Sequence, residues 1–406
     1  MKKSFLTSII ALGIFGIINT ELGVVGILPK ITNQFHVSVS QAGMLVSIFA
    51  LIIAISGPFM TLLFSGMNRK KILAGVLAIF AVSNFVSAFA PNYTVLLLFR
   101  ILPAFLHPVY FSVAFAAAAN SVPQEQSASA VARVFIGVTV GMVLGVPITS
   151  FIGDQFSLEA AFLFSALINA ITFIGILYWI PSMPVKEKLS YGKQLKILIK
   201  PKLWLNIATA SFILAALYSV YAYFAEYLKI VTSMNGKMIS VMLILFGASG
   251  VVGNLQTAKL LNKSIIKTTI FYPVLLGIIY LLLFYAGGHT IAAILIIIAW
   301  GAVFTSGLIV SQTWLTSEAH EAPEFANSLF VSFGNLGVAL GTASGGWFLS
   351  QKGTHQVVWS GVLFLILAFI CIGVKIKLFD QKQGKIFLEK KSPKEYREEF
   401  VKKIQS

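Results

Sequence analysis

Charged side chains are what this chain has least of. Of its 406 residues only 11% are charged, 14 of them Asp or Glu and 30 Lys or Arg. A soluble protein of this length carries roughly 25%. That scarcity excludes a water-exposed surface over most of the chain, and with 57% hydrophobic residues lipid has to cover it. Length alone suggests two or three soluble domains, but hydropathy overrides that reading. Cysteine is nearly absent. Cys371 stands alone inside the last apolar run, which excludes a disulfide within the chain and a cysteine metal cluster. No P-loop, HExxH or GxSxG motif occurs, nor any cluster with metal-ligand spacing. These absences exclude direct ATP drive, argue against an enzyme and leave no cofactor to expect. Any uphill work must draw on an ion gradient or on the transported species' own gradient.

Acidic residues are the scarcer sign, and the net charge is +16. The basic residues sit in short clusters between apolar runs, and the 34 Phe are spread through those runs. That pattern fits anionic lipid headgroups rather than nucleic acid.

A spanning helix needs about 20 mostly apolar residues. Twelve such segments can be placed, near 5–29, 40–66, 70–90, 94–119, 129–153, 158–181, 202–230, 236–258, 264–287, 290–313, 324–350 and 355–378. The expected fold is therefore all-α, with twelve transmembrane helices in two pseudo-symmetric six-helix halves. Met1-Lys2-Lys3 before an apolar run resembles a signal peptide. The run is too long for one and lacks a clear small-residue cleavage site, so it reads as a retained first span.

Charge orients the stack. Lys2 and Lys3, Arg69 to Lys71, Lys186 to Lys202, Lys259, Lys263, Lys267 and the tail from Lys375 all fall on one side. The other side holds only Lys30, Lys229, Lys237 and Lys352. The asymmetry predicts both termini in the cytoplasm, which requires an even number of spans. The expected organisation is a six-helix half over 1–181, a basic cytoplasmic linker over 182–201, a second half over 202–378 and a cytoplasmic tail over 379–406. In the tail, Ser392-Pro393-Lys394-Glu395 reads as a helix start, with Tyr396, Phe400, Val401 and Ile404 on one face. A short helix on the inner leaflet and a solvated tail are both open.

The halves echo each other. Gly141-Met-Val-Leu-Gly145 in span 5 answers Gly337-Val-Ala-Leu-Gly341 in span 11, and Asn68-Arg69 answers Asn262-Lys263 at a near-constant offset. Two parallel halves are the architecture in which a transporter rocks around a midplane site. A membrane enzyme or receptor-like scaffold is the reading from another class, and the duplicated halves weigh against it. Glycines at spacing four, Gly137, Gly141 and Gly145 in span 5 and Gly337, Gly341 and Gly345 in span 11, let helices approach closely.

Ionisable groups inside spans cost roughly 3 kcal/mol or more, so each is a functional candidate. Glu21 lies roughly 12 Å from the far end of span 1, and Arg100 roughly 9 Å into span 4. A Glu21–Arg100 pair is geometrically open. The alternative has Glu21 capping a helix break near Gly23 and Gly26 while Arg100 snorkels to the interface. His107, two turns deeper, reads either as a proton or substrate ligand or as a hydrogen-bonded structural residue. Glu226 near the end of span 7 reads as an interfacial carboxylate beside Lys229, or as a substrate ligand. Tyr110, Phe111, Tyr218, Tyr221, Phe224, Trp300 and Trp314 offer stacking surfaces to an amphipathic ligand, or serve packing and lipid contact. Glu318, Glu321 and Glu324, with no basic residue among them, are the expected inner-gate partners of Arg69, Lys70, Lys71 or Arg133 in an outward-open state.

Several of these residues resemble a known family. Thr20-Glu21-Leu-Gly-Val-Val-Gly-Ile-Leu-Pro29 is similar to the opening of arabinose-efflux-permease-like bacterial transporters. These form part of the drug:proton antiporter branch of the major facilitator superfamily. Arg100 resembles that superfamily's fourth-span arginine, His107 stands where this subgroup often has His, and Gly137, Gly141, Gly145 and Pro147 resemble the fifth-span antiporter motif. The resemblance covers residues 5–378. It implies proton-coupled efflux of a small organic molecule of the drug, sugar or nucleoside class, by a monomer in a bacterial-type inner membrane. The chain's partners would be the substrate, protons and membrane lipids. From the cost of burying charge, Glu21 is the expected proton carrier with Arg100 as its partner, and His107 is the next candidate. A passive sugar or nucleoside facilitator is the alternative within transport. The loop after span 2 departs from the family: Ser65 stands where an Asp is usual and Asn68 where a Gly is usual, so the acidic half of that motif is missing.

Overall fold

The computed structural model describes residues 3–123, 127–184, 194–319 and 323–380. Twelve long helical passes run through them. Span 1 is Lys3–Phe35, span 2 Val39–Phe64, span 3 Arg69–Ala88 and span 4 Tyr93–Asn120. Span 5 joins Ser127–Val140 to Val146–Gln155 through a π turn at Gly141–Gly145. Span 6 is Leu158–Trp179. Span 7 is broken, Pro201–Tyr221 followed by Phe224–Ile230. Spans 8 to 12 are Gly236–Lys263, Ile265–Ala286, Thr290–Thr316, Pro323–Lys352 and Val357–Lys375, the last continued by a wide turn at Ile376–Asp380. Eleven of the twelve are long and apolar enough to cross a membrane by length and composition, and span 11 completes the set. No strand occurs among the described residues.

The local sequence accounts for these boundaries. Asn92, Ser157, Asn235 and Ser264 each accept the hydrogen bond of a backbone N–H two or three residues on, which caps spans 4, 6, 8 and 9. Asn68 does the same for span 3 and also donates to Ser182 Oγ at 2.7 Å. Gly353, at φ 91°, turns the chain between spans 11 and 12 in a backbone conformation that suits glycine. Several boundaries shift by a few residues, and the end of span 1 is the one that bears on the site. Pro29 does not end span 1, which runs on to Phe35, so Glu21 lies roughly 21 Å from the helix end and not 12 Å.

The first six spans pack among themselves, as do the last six. Within each half the glycine faces are used alike. A Cβ at Gly141 would lie 2.7 Å from Ile18 Cγ2, and one at Gly145 2.7 Å from Asn19 Oδ1, so span 5 presses on span 1. Gly337, Gly341 and Gly345 press equally on the backbone of Ser211, Ala215 and Ser219, so span 11 presses on span 7. Lipid tails give helices no hydrophobic drive to associate, so this close fit and interhelical hydrogen bonds hold each half together.

Across the halves, span 2 packs on span 11, span 5 on span 8, and span 1 on the last part of span 7. The near end is the side on which span 1 begins and span 12 finishes; the far end is opposite. Cross-half contacts gather at the far end. Tyr223 wedges against Gly43 and Gly346, and Gly236 lies against the Asp154 carboxylate. Ser240 Oγ donates to Ser150 Oγ at 3.3 Å. The tail, including the proposed helix at 392–404, and linker residues 185–193 lie outside the described residues.

Candidate functional site

Between Ile9 and Pro29, span 1 is apolar except for three adjacent polar residues, Asn19, Thr20 and Glu21. The structure builds a buried polar network on them. Asn19 Nδ2 donates to Ser165 Oγ at 2.8 Å, and Thr149 Oγ1 donates to Asn19 Oδ1 at 2.9 Å. Thr20 Oγ1 accepts from Asn84 Nδ2 at 2.9 Å and from Asn169 Nδ2 at 3.2 Å. Spans 1, 3, 5 and 6 are thereby tied together at the level of Glu21. Sequence reasoning passed over Asn19, Asn84, Thr149 and Asn169. The signal was there: buried amides are costly unless satisfied, so an Asn in a span points to a partner in the bundle.

The Glu21 carboxylate meets His107. Oε2 lies 3.0 Å from Nε2, with both side chains largely buried. The contact is an ion-pair distance without hydrogen-bond alignment, and Nδ1 of His107 has no hydrogen-bond partner among the described residues. The imidazole stacks on Phe111 at 4.5 Å between ring centroids and meets Phe49 edge-on at 6.2 Å.

Arg100 is not the partner of the Glu21 carboxylate, which corrects the expected pair. Its guanidinium, 3% exposed, donates to backbone: Nη1 to Thr20 O at 3.0 Å, Nη2 to Glu21 O at 3.1 Å and Nε to Leu45 O at 3.4 Å. It also lies over the Phe49 ring, 5.3 Å from the centroid. Helix direction explains the exchange. Side chains lean toward a helix N-terminus while carbonyls point to its C-terminus. Span 1 runs from the near end to the far end. Its carbonyls therefore face Arg100, which lies farther out, and the Glu21 side chain leans inward to the depth of His107. Measured from Tyr93, His107 is roughly 21 Å along span 4, the same depth that Glu21 has in span 1. Arg100 thus neither snorkels to an interface nor neutralises the acid directly; it clamps the backbone that carries it.

The aromatic candidates separate into four groups. Phe111 touches His107 directly. Tyr110 is fully buried, with its hydroxyl donating to Ile10 O at 3.3 Å, in the packing of spans 1 and 4. Tyr218, Tyr221, Phe224 and Trp300 form one buried cluster with Phe246 and Phe304 in the second half. Of these, Tyr218 lies within electrostatic reach of Glu21 across the midline. Trp314 is buried under Lys375, whose Nζ lies 4.3 Å from the ring centroid.

Two further placements differ from expectation. Glu226 is not an exposed interfacial carboxylate: it is 7% exposed, and its Oε2 has no hydrogen-bond partner among the described residues. The break in span 7 turns the short Phe224–Ile230 helix back into the protein, where it packs on span 1. Glu318 pairs with Lys375 of span 12 at 3.1 Å, and not with Arg69, Lys70, Lys71 or Arg133. The linker that leads into span 7 and the end of span 12 converge on the Glu318 turn, and Lys200 donates to its carbonyl. Lys70 Nζ donates to Leu177 O at 2.8 Å within the first half, and Arg133 is exposed. Glu321 and the side chain of Glu324 lie outside the described residues. Pro147 and the three span-5 glycines surround the π turn where that span faces spans 1 and 8.

A sequence model described as Major Facilitator Superfamily matches residues 5–325. The chain is 31% identical over 350 residues to the inner membrane transport protein YdhP of Escherichia coli (strain K12), covering 86% of this chain and 90% of that protein. It is 30% identical over 381 residues to YtbD, an uncharacterised MFS-type transporter of Bacillus subtilis (strain 168), covering 92% and 96%. Among solved structures it resembles a bacterial homologue of the human lysosomal transporter Spinster in an inward-facing, occupied conformation. There the TM-score is 0.76 at 16% identity, over 93% of this chain and 96% of that one. The nucleoside transporter NupG gives 0.75 at 16% identity, over 93% and 100%. At such identity these two likenesses speak for the fold alone.

Proposed function

Because this chain belongs to the major facilitator superfamily, and so is a multi-pass membrane transporter of a small molecule and not an enzyme, we propose that it exports its substrate in exchange for protons by alternating access. The observation that carries the reading is the buried Glu21–His107 pair, set on a span-1 backbone that Arg100 clamps. A carboxylate and an imidazole are both proton-carrying groups, while a guanidinium keeps its charge. A proton delivered to the pair changes its net charge inside a low-dielectric bundle, where such a change is felt most strongly. A substrate that neutralises the carboxylate competes with that proton. Each orientation of the halves then favours one occupant, which is what coupling by differential affinity requires.

The remaining residues take supporting roles in this reading. Phe111 and Tyr218 flank the pair from either half and offer ring faces to a substrate. The far end, closed by Tyr223, faces the outside, and the near end with both termini faces the cytoplasm, as the basic clusters indicate. The structure then stands in an inward-facing state. Glu318 joins the basic residues after span 2 only when the near end closes.

The test uses everted vesicles or proteoliposomes, a panel of dyes, antibiotics, sugars and nucleosides, and an imposed pH gradient. Export accelerated by the gradient in the wild type, and lost in Glu21→Gln, is the expected result. Equal rates with and without the gradient point instead to a passive facilitator of a sugar or nucleoside, which has no need of a buried titratable pair.

A further inference from the structure

On the flank of the second half, away from the contact between halves, spans 9 and 12 leave a groove that the transport site does not use. Ile270 of span 9 and Phe369, Ile372, Gly373, Ile376 and Lys377 along span 12 line a cavity of about 290 Å³. The groove is open beside Gly373, where an added Cβ would meet nothing within 4 Å. Its lining is apolar along the membrane and ends in a cation, Lys377, at the near end. A second cation stands on the same helix face as Ile270. Lys267, exposed, precedes Ile270 by one helical turn and so lies on the same face of span 9, one turn nearer the same end. The wide turn at Ile376–Asp380 carries Lys377 on the helix that walls the groove.

We propose that this groove holds one phospholipid with an anionic headgroup. Its acyl chain lies along Ile270, Phe369 and Gly373, and its phosphate sits between Lys377 and Lys267. The apolar wall suits any lipid tail. The two cations at its mouth select the headgroup, because a zwitterionic lipid brings no net charge to meet them. Lys259 and Lys263 add to the basic character of the same end, which sets this face against a second copy of the chain and toward an anion.

The experiment takes the purified full chain in nanodiscs of phosphatidylcholine with increasing phosphatidylglycerol. Native mass spectrometry counts the retained lipids, and melting reports their effect. The wild type should retain phosphatidylglycerol in preference to phosphatidylcholine. Lys377→Gln and Lys267→Gln should each cut that preference by about fivefold, and leave retention in pure phosphatidylcholine unchanged. Gly373→Leu puts a side chain into the groove from a position whose Cβ has open space, and should lower retention of both lipids. Undiminished phosphatidylglycerol preference in the double lysine variant, or undiminished retention in Gly373→Leu, overturns the proposal. A gain or loss of dimer in Gly373→Leu with lipid counts unchanged overturns it too, by showing a contact between copies. Should Gly373→Leu fail to fold, the two exposed lysines decide the matter alone.

Discussion

The hydroxyl of Tyr223 lies where a side chain on Gly43 would have to be. Tyr223 lies in the break of span 7 and reaches across the far end to span 2, with Gly43 leaving room for its ring. The same hydroxyl donates to Thr342 O of span 11 at 2.8 Å and abuts Gly346. One tyrosine from the second half thus fills a slot bounded by both halves at the far end.

That slot predicts a gate. Gly43→Ala places a methyl group in the space of the Tyr223 hydroxyl, and overpacking of this kind costs about 1–3 kcal/mol. The far-closed state should lose that much relative to the far-open state. Spin-label distances between the far ends of spans 2 and 8 should show a longer population that grows about fivefold or more. Tyr223→Phe loses one hydrogen bond, worth about 0.5–1.5 kcal/mol, and should shift the same population by a smaller amount. Unchanged distances in Gly43→Ala would show that the ring merely packs.

The Glu21–His107 pair should behave as one unit. Glu21→Gln and His107→Asn are each expected to abolish acceleration by a pH gradient while exchange down a substrate gradient continues. The double variant should be no worse than either single one, since residues in one network are non-additive. Additive losses in the cycle would assign the two residues separate roles. Arg100→Lys removes the forked contact to Thr20 O and Glu21 O, and should lower both thermal stability and transport, because a lysine cannot hold several carbonyls in one plane.

Lys375 and Glu318 tie spans 10 and 12 together at the near end, with Lys375 only 3% exposed. Removing one member of a buried ion pair costs about 3–5 kcal/mol where burial is complete and no other partner remains. Lys375→Met strands only the part-exposed Glu318, and Glu318→Gln leaves the Lys375 ammonium 4.3 Å from the Trp314 ring centroid, so both single variants should fall below that range. The double variant Glu318→Gln, Lys375→Met should recover much of the loss in melting temperature, because its neutral side chains leave no stranded charge. A double variant as unstable as the sum of the singles would show that the two residues do not interact.

Topology can be read directly. Single cysteines at His36 or Lys352, with Cys371 replaced by Ala, should react with a membrane-impermeant maleimide in intact cells. A cysteine at Lys71 should react only after lysis. The reverse pattern would invert the orientation drawn from the basic clusters.

Much of this molecule was legible in one dimension. Runs of apolar residues long enough to cross a bilayer are a property of local composition, so the number of spans and most of their limits followed from the sequence. So did the glycine faces of spans 5 and 11, because spacing four on a helix places residues on one side. Glu21, Arg100 and His107 stood out because ionisable groups in lipid are costly wherever they sit. Tertiary structure decided which of them meet. Partner choice depends on helix direction and depth, and span 1 running past Pro29 moved Glu21 down to His107 and left Arg100 the backbone. The break at Ala222–Tyr223 and the π turn in span 5 left no mark in hydropathy, since both preserve an apolar run while redirecting its side chains. For that reason the sequence could name Glu226 without burying it, and Glu318 without finding Lys375.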